Sequence, residues 1–176
     1  AGALSDVTVI GDSVALRSSA AFSSLLPNAQ LDAAVSRSFD NAFEIFQNEI
    51  SSGTLSKTTV LAIGVNSLDH YQEDIQQFID ALPDGYRLII VTPYNASDKA
   101  KVKQARDYEL SLPKTYNYIT IADWYKTATS HPEIWNGTDG VHYSDANTTG
   151  ADLYVKTIQK AINKSAKRPA KGESNS

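Results

Sequence analysis

The chain reads as an α/β protein: a three-layer α/β/α sandwich built on a five-stranded parallel sheet. Three observations predict this. Five short apolar runs recur, "VTVIG" at Val7, "QLDAAV" at Gln30, "TTVLAIG" at Thr58, "RLIIVTPY" at Arg87 and "YITIADWY" at Tyr118. Three of them are β-branched and nearly continuous, the pattern of strands covered on both faces. Segments with helical spacing lie between them, and strands alternating with helices imply parallel pairing through crossover helices.

Each element has its own signal. The first run stops at Gly11-Asp12-Ser13 and passes at once into an Ala- and Leu-rich helical stretch. In "NAFEIFQNEI", Phe43, Phe46 and Ile50 fall three to four residues apart and so share one helix face. "EDIQQFIDAL" does the same with Ile75, Phe78, Ile79 and Leu82, then stops at Pro83 and Gly85. The polar, basic segment 97–110 predicts an exposed helix with Val102, Ala105 and Tyr108 turned inward. A last helix over 149–163 carries Ala151, Tyr154, Val155 and Ile158 at helical spacing. One domain is expected over residues 1–164. The end "KSAKRPAKGESNS" has no apolar period, so 165–176 is expected to be a disordered tail.

Composition narrows the function classes. With 176 residues, one core is affordable and two are not comfortable. A net charge of −4, with no basic stripe interleaved with aromatics, gives no reason to expect nucleic acid. There is no cysteine, hence no disulfide and no thiolate metal site. No run reaches the roughly 18 apolar residues of a membrane span. The short lead before Val7 is expected to mark a domain excised from a longer protein.

In open α/β sheets, ligands bind beyond the carboxyl ends of the strands. The polar residues of this chain gather there: Asp12 and Ser13, Ser36 and Arg37, Gly64 to Asn66, and Pro93 to Asn95. Ser13 at a strand-to-helix turn is either a helix cap or a nucleophile, and a nucleophilic serine needs a base oriented by a carboxylate. His70 and His131 stand at solvated element starts. His142 lies in the glycine-bearing loop "NGTDGVHYSD", where Asp139 can reach Nδ1 and leave Nε2 facing a hydroxyl. Donors for an oxyanion are offered by the N–H of Ser13, the Asn66 amide and a backbone N–H near Ser36. Asp-x-x-His alone is more often structural than catalytic, and Asn66 alone is an ordinary turn residue.

Together these residues resemble a known set. "GDSV" at Gly11, "GVN" at Gly64 and "DGVH" at Asp139 are similar to sequence blocks of the SGNH (GDSL-like) hydrolase superfamily, over residues 7–162. With "DAAVSRSF" and "DGVHYSDANTTGADLY", the chain further resembles the extracytoplasmic C-terminal domains of the peptidoglycan O-acetyltransferase A family of Gram-positive bacteria. The resemblance implies a flavodoxin-like fold, a triad of Ser13, His142 and Asp139, and an oxyanion hole from Ser13, Ser36 and Asn66. It implies acetyl transfer through an acetyl-serine to the C6 hydroxyl of N-acetylmuramoyl residues, with some esterase activity. No cofactor and no metal are expected. The expected partners are glycan strands and a membrane acyltransferase domain that delivers acetyl, and the expected location is the outer face of the cell membrane. The isolated domain is expected to be a monomer.

Two departures from the superfamily pattern stand out. Ser36 occupies the place where the second block carries glycine, and Ser67 follows Asn66 where the third block carries aspartate. Trp135, Tyr143 and Tyr94 are the candidate rings for stacking on a sugar. The rival readings are a carbohydrate esterase with water as acceptor, and an inactive module that binds wall saccharide.

Overall fold

A computed structural model describes residues 7–65 and 68–174. The sheet holds β1 (Val7–Gly11), β2 (Ala29–Ala33), β3 (Thr58–Ala62), β4 (Arg87–Val91) and β5 (Ile119–Ala122) in the order β2-β1-β3-β4-β5, with every neighbouring pair parallel. Alternation along the strands divides the interior in two. Val7, Val9, Val60, Ala62, Ile89 and Ala122 face one core; Ile10, Leu61, Leu88, Ile90 and Ile119 face the other. β2 is an edge strand, and its alternately open residues explain why its run is the most polar of the five.

The second core is covered by α3 (Phe39–Ser52), α4 (Tyr71–Ala81) and α5 (Lys99–Thr115). The side chain of Ser38 accepts from Asn41 N–H at the start of α3, and Gly53 closes its end at φ +74°. Phe43, Phe46 and Phe78 form a ring cluster between α3 and α4, with centroids 5.0 to 6.2 Å apart. Phe46 and Phe78 are fully buried, at about 1.5–3 kcal/mol each, and the half-buried Phe43 adds to the contact that docks these two helices. The first core is covered by α1 (Ser13–Arg17), α2 (Ser19–Leu25), α6 (Trp124–Ser130) and α7 (Thr149–Ser165). All three expected layers are present.

The structure differs from the sequence reading in three places. The fifth strand ends at Ala122, because the Asp123 side chain accepts from Lys126 N–H and starts α6. The helix expected over 97–110 runs on to Thr115 through Pro113. Proline lacks an N–H to donate back to residue 109, a loss a final turn tolerates.

The third difference is the end of the chain. Residues 166–174 are not a disordered tail. Arg168 donates to Pro113 O and Tyr116 O, and Lys171 Nζ donates to Ile79 O at 2.8 Å. The backbones of Lys171, Gly85 and Tyr86 exchange two bonds of 2.8 Å, and Ala170 is buried. Backbone pairing and one small apolar anchor hold this segment, and neither leaves a periodic apolar signal.

Candidate active site

β1 delivers Ser13. The chain turns so tightly at Gly11 that an added Cβ would meet Ala15 Cβ at 2.4 Å, so only glycine allows α1 to begin there. Asp12 caps the helix, its carboxylate accepting from Val14 N–H at 3.0 Å. Ser13 is therefore presented at the carboxyl end of a central strand and the positive end of a helix.

The loop between α6 and α7 delivers His142 and Asp139. Ser13 Oγ lies 2.7 Å from His142 Nε2, and His142 Nδ1 lies 2.8 Å from Asp139 Oδ2. The other oxygen of Asp139 accepts from the N–H groups of Val141 and His142 at 2.9 and 2.8 Å. The bond from the His142 ring, then that from its backbone N–H, hold the Asp139 carboxyl well below the usual range. An anion is thus fixed at Nδ1, which favours the tautomer whose Nε2 is free to accept a proton.

Several contacts set this loop against α1 and the segment after β4. Gly140, at φ +77°, lies so close to Ala96 that a Cβ would approach Ala96 Cβ to 2.6 Å, and Ala96 N–H donates to Gly140 O. Arg17 Nε donates to Tyr143 O at 2.7 Å, and the Tyr143 hydroxyl bonds Ser18 Oγ under α1. Gly150 opens the space that the Tyr143 ring occupies. Sequence reasoning passed over Arg17, although its place one turn after Ser13 was a signal.

Ser36 has φ +59°, the only non-glycine residue in the left-handed region among those described. The backbone therefore keeps the conformation glycine would favour, at a cost to a residue bearing a Cβ. Arg37 holds this loop, donating to Asp32 O at 2.7 Å and pairing with the Asp32 carboxylate at 2.9 Å. Ser13, Ser36 and His142 line one shallow depression with Leu16, Arg17 and Val35. Asn66 lies outside the described residues.

The three aromatic candidates are packed inward to different degrees. Tyr143 is 1% exposed, packed edge-on against Trp124, and offers no face to a sugar. Tyr94 is buried against Trp135 and Tyr125, with centroids 4.9 and 5.8 Å away. Trp135 is half-buried with its Nε1–H bonded to Ala128 O. None of the three lines either depression beside His142, because together they fill the space between α6 and the loop.

Comparison with known proteins decides the family. The C-terminal catalytic domain of peptidoglycan O-acetyltransferase A from Streptococcus pneumoniae, solved with a methylsulfonyl adduct, superposes with a TM-score of 0.91. Identity is 40%, over 96% of this chain and 98% of that one. The chain belongs to the peptidoglycan O-acetyltransferase A family. An O-acetyltransferase of Staphylococcus aureus is 28% identical over 162 residues, and the match covers 86% of this chain. That match covers 24% of the relative, so the chain spans about a quarter of the curated protein. A GDSL-like lipase of Bacteroides thetaiotaomicron shares the fold alone, with TM-score 0.73 and 14% identity over 93% of this chain and 90% of that one. No protein-family model matches the chain.

Proposed function

We propose that this domain transfers acetyl groups to the C6 hydroxyl of N-acetylmuramoyl residues in peptidoglycan, through an acetyl-enzyme on Ser13. The observation that carries the reading is the unbroken relay from Ser13 Oγ through His142 to Asp139, with bonds of 2.7 and 2.8 Å. Membership of an O-acetyltransferase family supports it.

His142 Nε2 takes the hydroxyl proton as Ser13 Oγ attacks the carbonyl of an acetyl donor. The oxyanion is stabilised by the N–H groups of Ser13 and Ser36 and by the Asn66 amide. The tetrahedral intermediate collapses, His142 returns the proton to the leaving oxygen, and Ser13 carries the acetyl. In the second half His142 deprotonates the sugar hydroxyl, which attacks the acetyl-serine, and the proton returns to Oγ. Asp139 orients the ring and offsets its charge while it is protonated. Loss of general-base action is worth roughly 10²–10⁴-fold in rate.

The domain works at the outer face of the cell membrane, supplied with acetyl by a membrane acyltransferase domain. Among the described residues no helix is long and apolar enough to cross a membrane.

The test uses the purified domain and a small activated acetyl ester, with and without a chitooligosaccharide, products being followed by mass spectrometry. Acetylated sugar that disappears in Ser13→Ala supports the transferase. Free acetate alone, at a rate indifferent to sugar, points to an esterase with water as acceptor. Saccharide binding without turnover points to an inactive wall-binding module.

A further inference from the structure

A second cleft lies away from Ser13. A trough of about 610 Å³ runs along the free edge of β5, walled by the end of α5 on one side and α7 on the other, and closed at one end by α6. It shares no residue with the depressions beside His142. Its floor is apolar, with Ile119, Ile121 and Ala161.

Its rim is cationic. Lys114, Lys126, Lys160, Lys164 and Arg168 all line it, in a chain of net charge −4. The only acid in the lining, Asp123, is already held by Arg106 through two bonds of 2.9 and 2.7 Å. None of the four lysines is in an ion pair among the described residues.

The cations are also arranged in a row. Lys160, Lys164 and Arg168 follow one another at four-residue intervals along α7 and its continuation, about 6 Å per interval where helical. A repeating linear anion matches such a row. A bilayer is too flat to enter a concave trough. Lysine offers a compact point charge suited to phosphate oxygens, whereas planar bidentate recognition of carboxylates favours arginine.

We propose that the β5 trough is a second binding site, for a linear phosphate-linked polyanion, which holds the domain on an anionic polymer while the Ser13 site works on its own substrate. This inference does not depend on the acyl acceptor.

The experiment titrates the domain with long-chain inorganic polyphosphate by calorimetry at low and moderate salt. Binding is expected, weakening steeply as salt rises because cations displaced from the polymer are released. Lys160→Gln/Lys164→Gln should weaken it about tenfold or more, with turnover of a small acetyl ester unchanged. Lys99→Gln/Lys101→Gln removes the same charge from a different surface and should bind nearly as the parent does. Equal loss in both double variants, or no binding, overturns the proposal. So does tighter binding to polyglutamate or to anionic lipid vesicles than to polyphosphate.

Discussion

Asp12→Asn should change the pH dependence of stability in a calculable way. Asp12 is 3% exposed, and burial lifts its carboxyl from 3.8 to about 6, although N–H groups of Val14, Val65 and Ala15 and the nearby His142 pull it down. The sign follows from proton binding. Between 3.8 and about 6 the folded chain binds the proton that the unfolded chain has lost, so stability falls as pH rises through this window. At about 1.4 kcal/mol per pKa unit, the ionised carboxylate costs the folded state about 3 kcal/mol above the window. An asparagine carries no such penalty. Its NH2 group does face an N–H that the carboxylate accepted, at about 1–3 kcal/mol, but equally at every pH. The quantity to measure is therefore a difference. Urea unfolding of parent and variant at about pH 4 and about pH 8 should show the variant gaining about 2–3 kcal/mol on the parent between the two conditions. A gap in stability that is the same at both pH values would refute the reasoning. The same substitution weakens the acceptor that holds the N–H groups of Val14 and Val65 beside Ser13, so ester turnover should fall even where stability rises.

Ser36→Gly removes the Cβ from a left-handed residue, a relief of about 1–2 kcal/mol, set against about 0.5–1 kcal/mol of extra chain entropy. Thermal unfolding should show a small gain with ester turnover kept within a few-fold, whereas a clear loss of either would mean that the hydroxyl does more than tolerate the turn. Tyr143→Phe deletes a hydroxyl bonded to Ser18 beneath α1, at about 1–2 kcal/mol of stability, and saccharide affinity should not change. Loss of affinity there would restore Tyr143 as a sugar contact. Arg106→Ala strands the Asp123 carboxylate, which burial pushes up but the Arg106 and Thr92 bonds bring below its ordinary range. Denaturation should show a loss of about 1–3 kcal/mol, and an unchanged midpoint would contradict the role given to this pair.

What the sequence made legible depended on whether the signal was periodic. Phe43, Phe46, Ile75 and Phe78 declared their helices because each apolar face repeats over several turns, and the core formed where they pointed. The strands buried on both faces were equally plain. Asp123 was hidden inside an apparently continuous run, where one capping side chain turned "DWY" from strand into helix. Glu109 was unreadable for the opposite reason. It occupies an inward helix position as a fully buried acid, its carboxyl pushed well above the ordinary range by burial and by Asp123. The segment around Lys171 was held by backbone bonds that any sequence can make.

In the site, residue identity carried the information for Ser13, Asp139 and His142, since few side chains can perform the roles proposed for them. Ser36 was legible as a departure, and only its φ of +59° explains how the turn survives without glycine. The burial of the aromatic candidates was not legible because ring type says nothing of exposure. Tyr143 and Tyr94 are as suited to a packed interior as to a sugar surface, and Gly150 makes the room for Tyr143 inside.

The most direct test of the account is rapid-quench mass spectrometry of the domain mixed with an activated acetyl ester, followed by peptide mapping. A single acetyl group should appear on the peptide bearing Ser13 and be absent in Ser13→Ala. Its decay should quicken when chitooligosaccharide is added, with the acetyl recovered on the sugar. Acetyl on another residue, or decay to free acetate at a rate the sugar does not alter, would contradict transfer through Ser13.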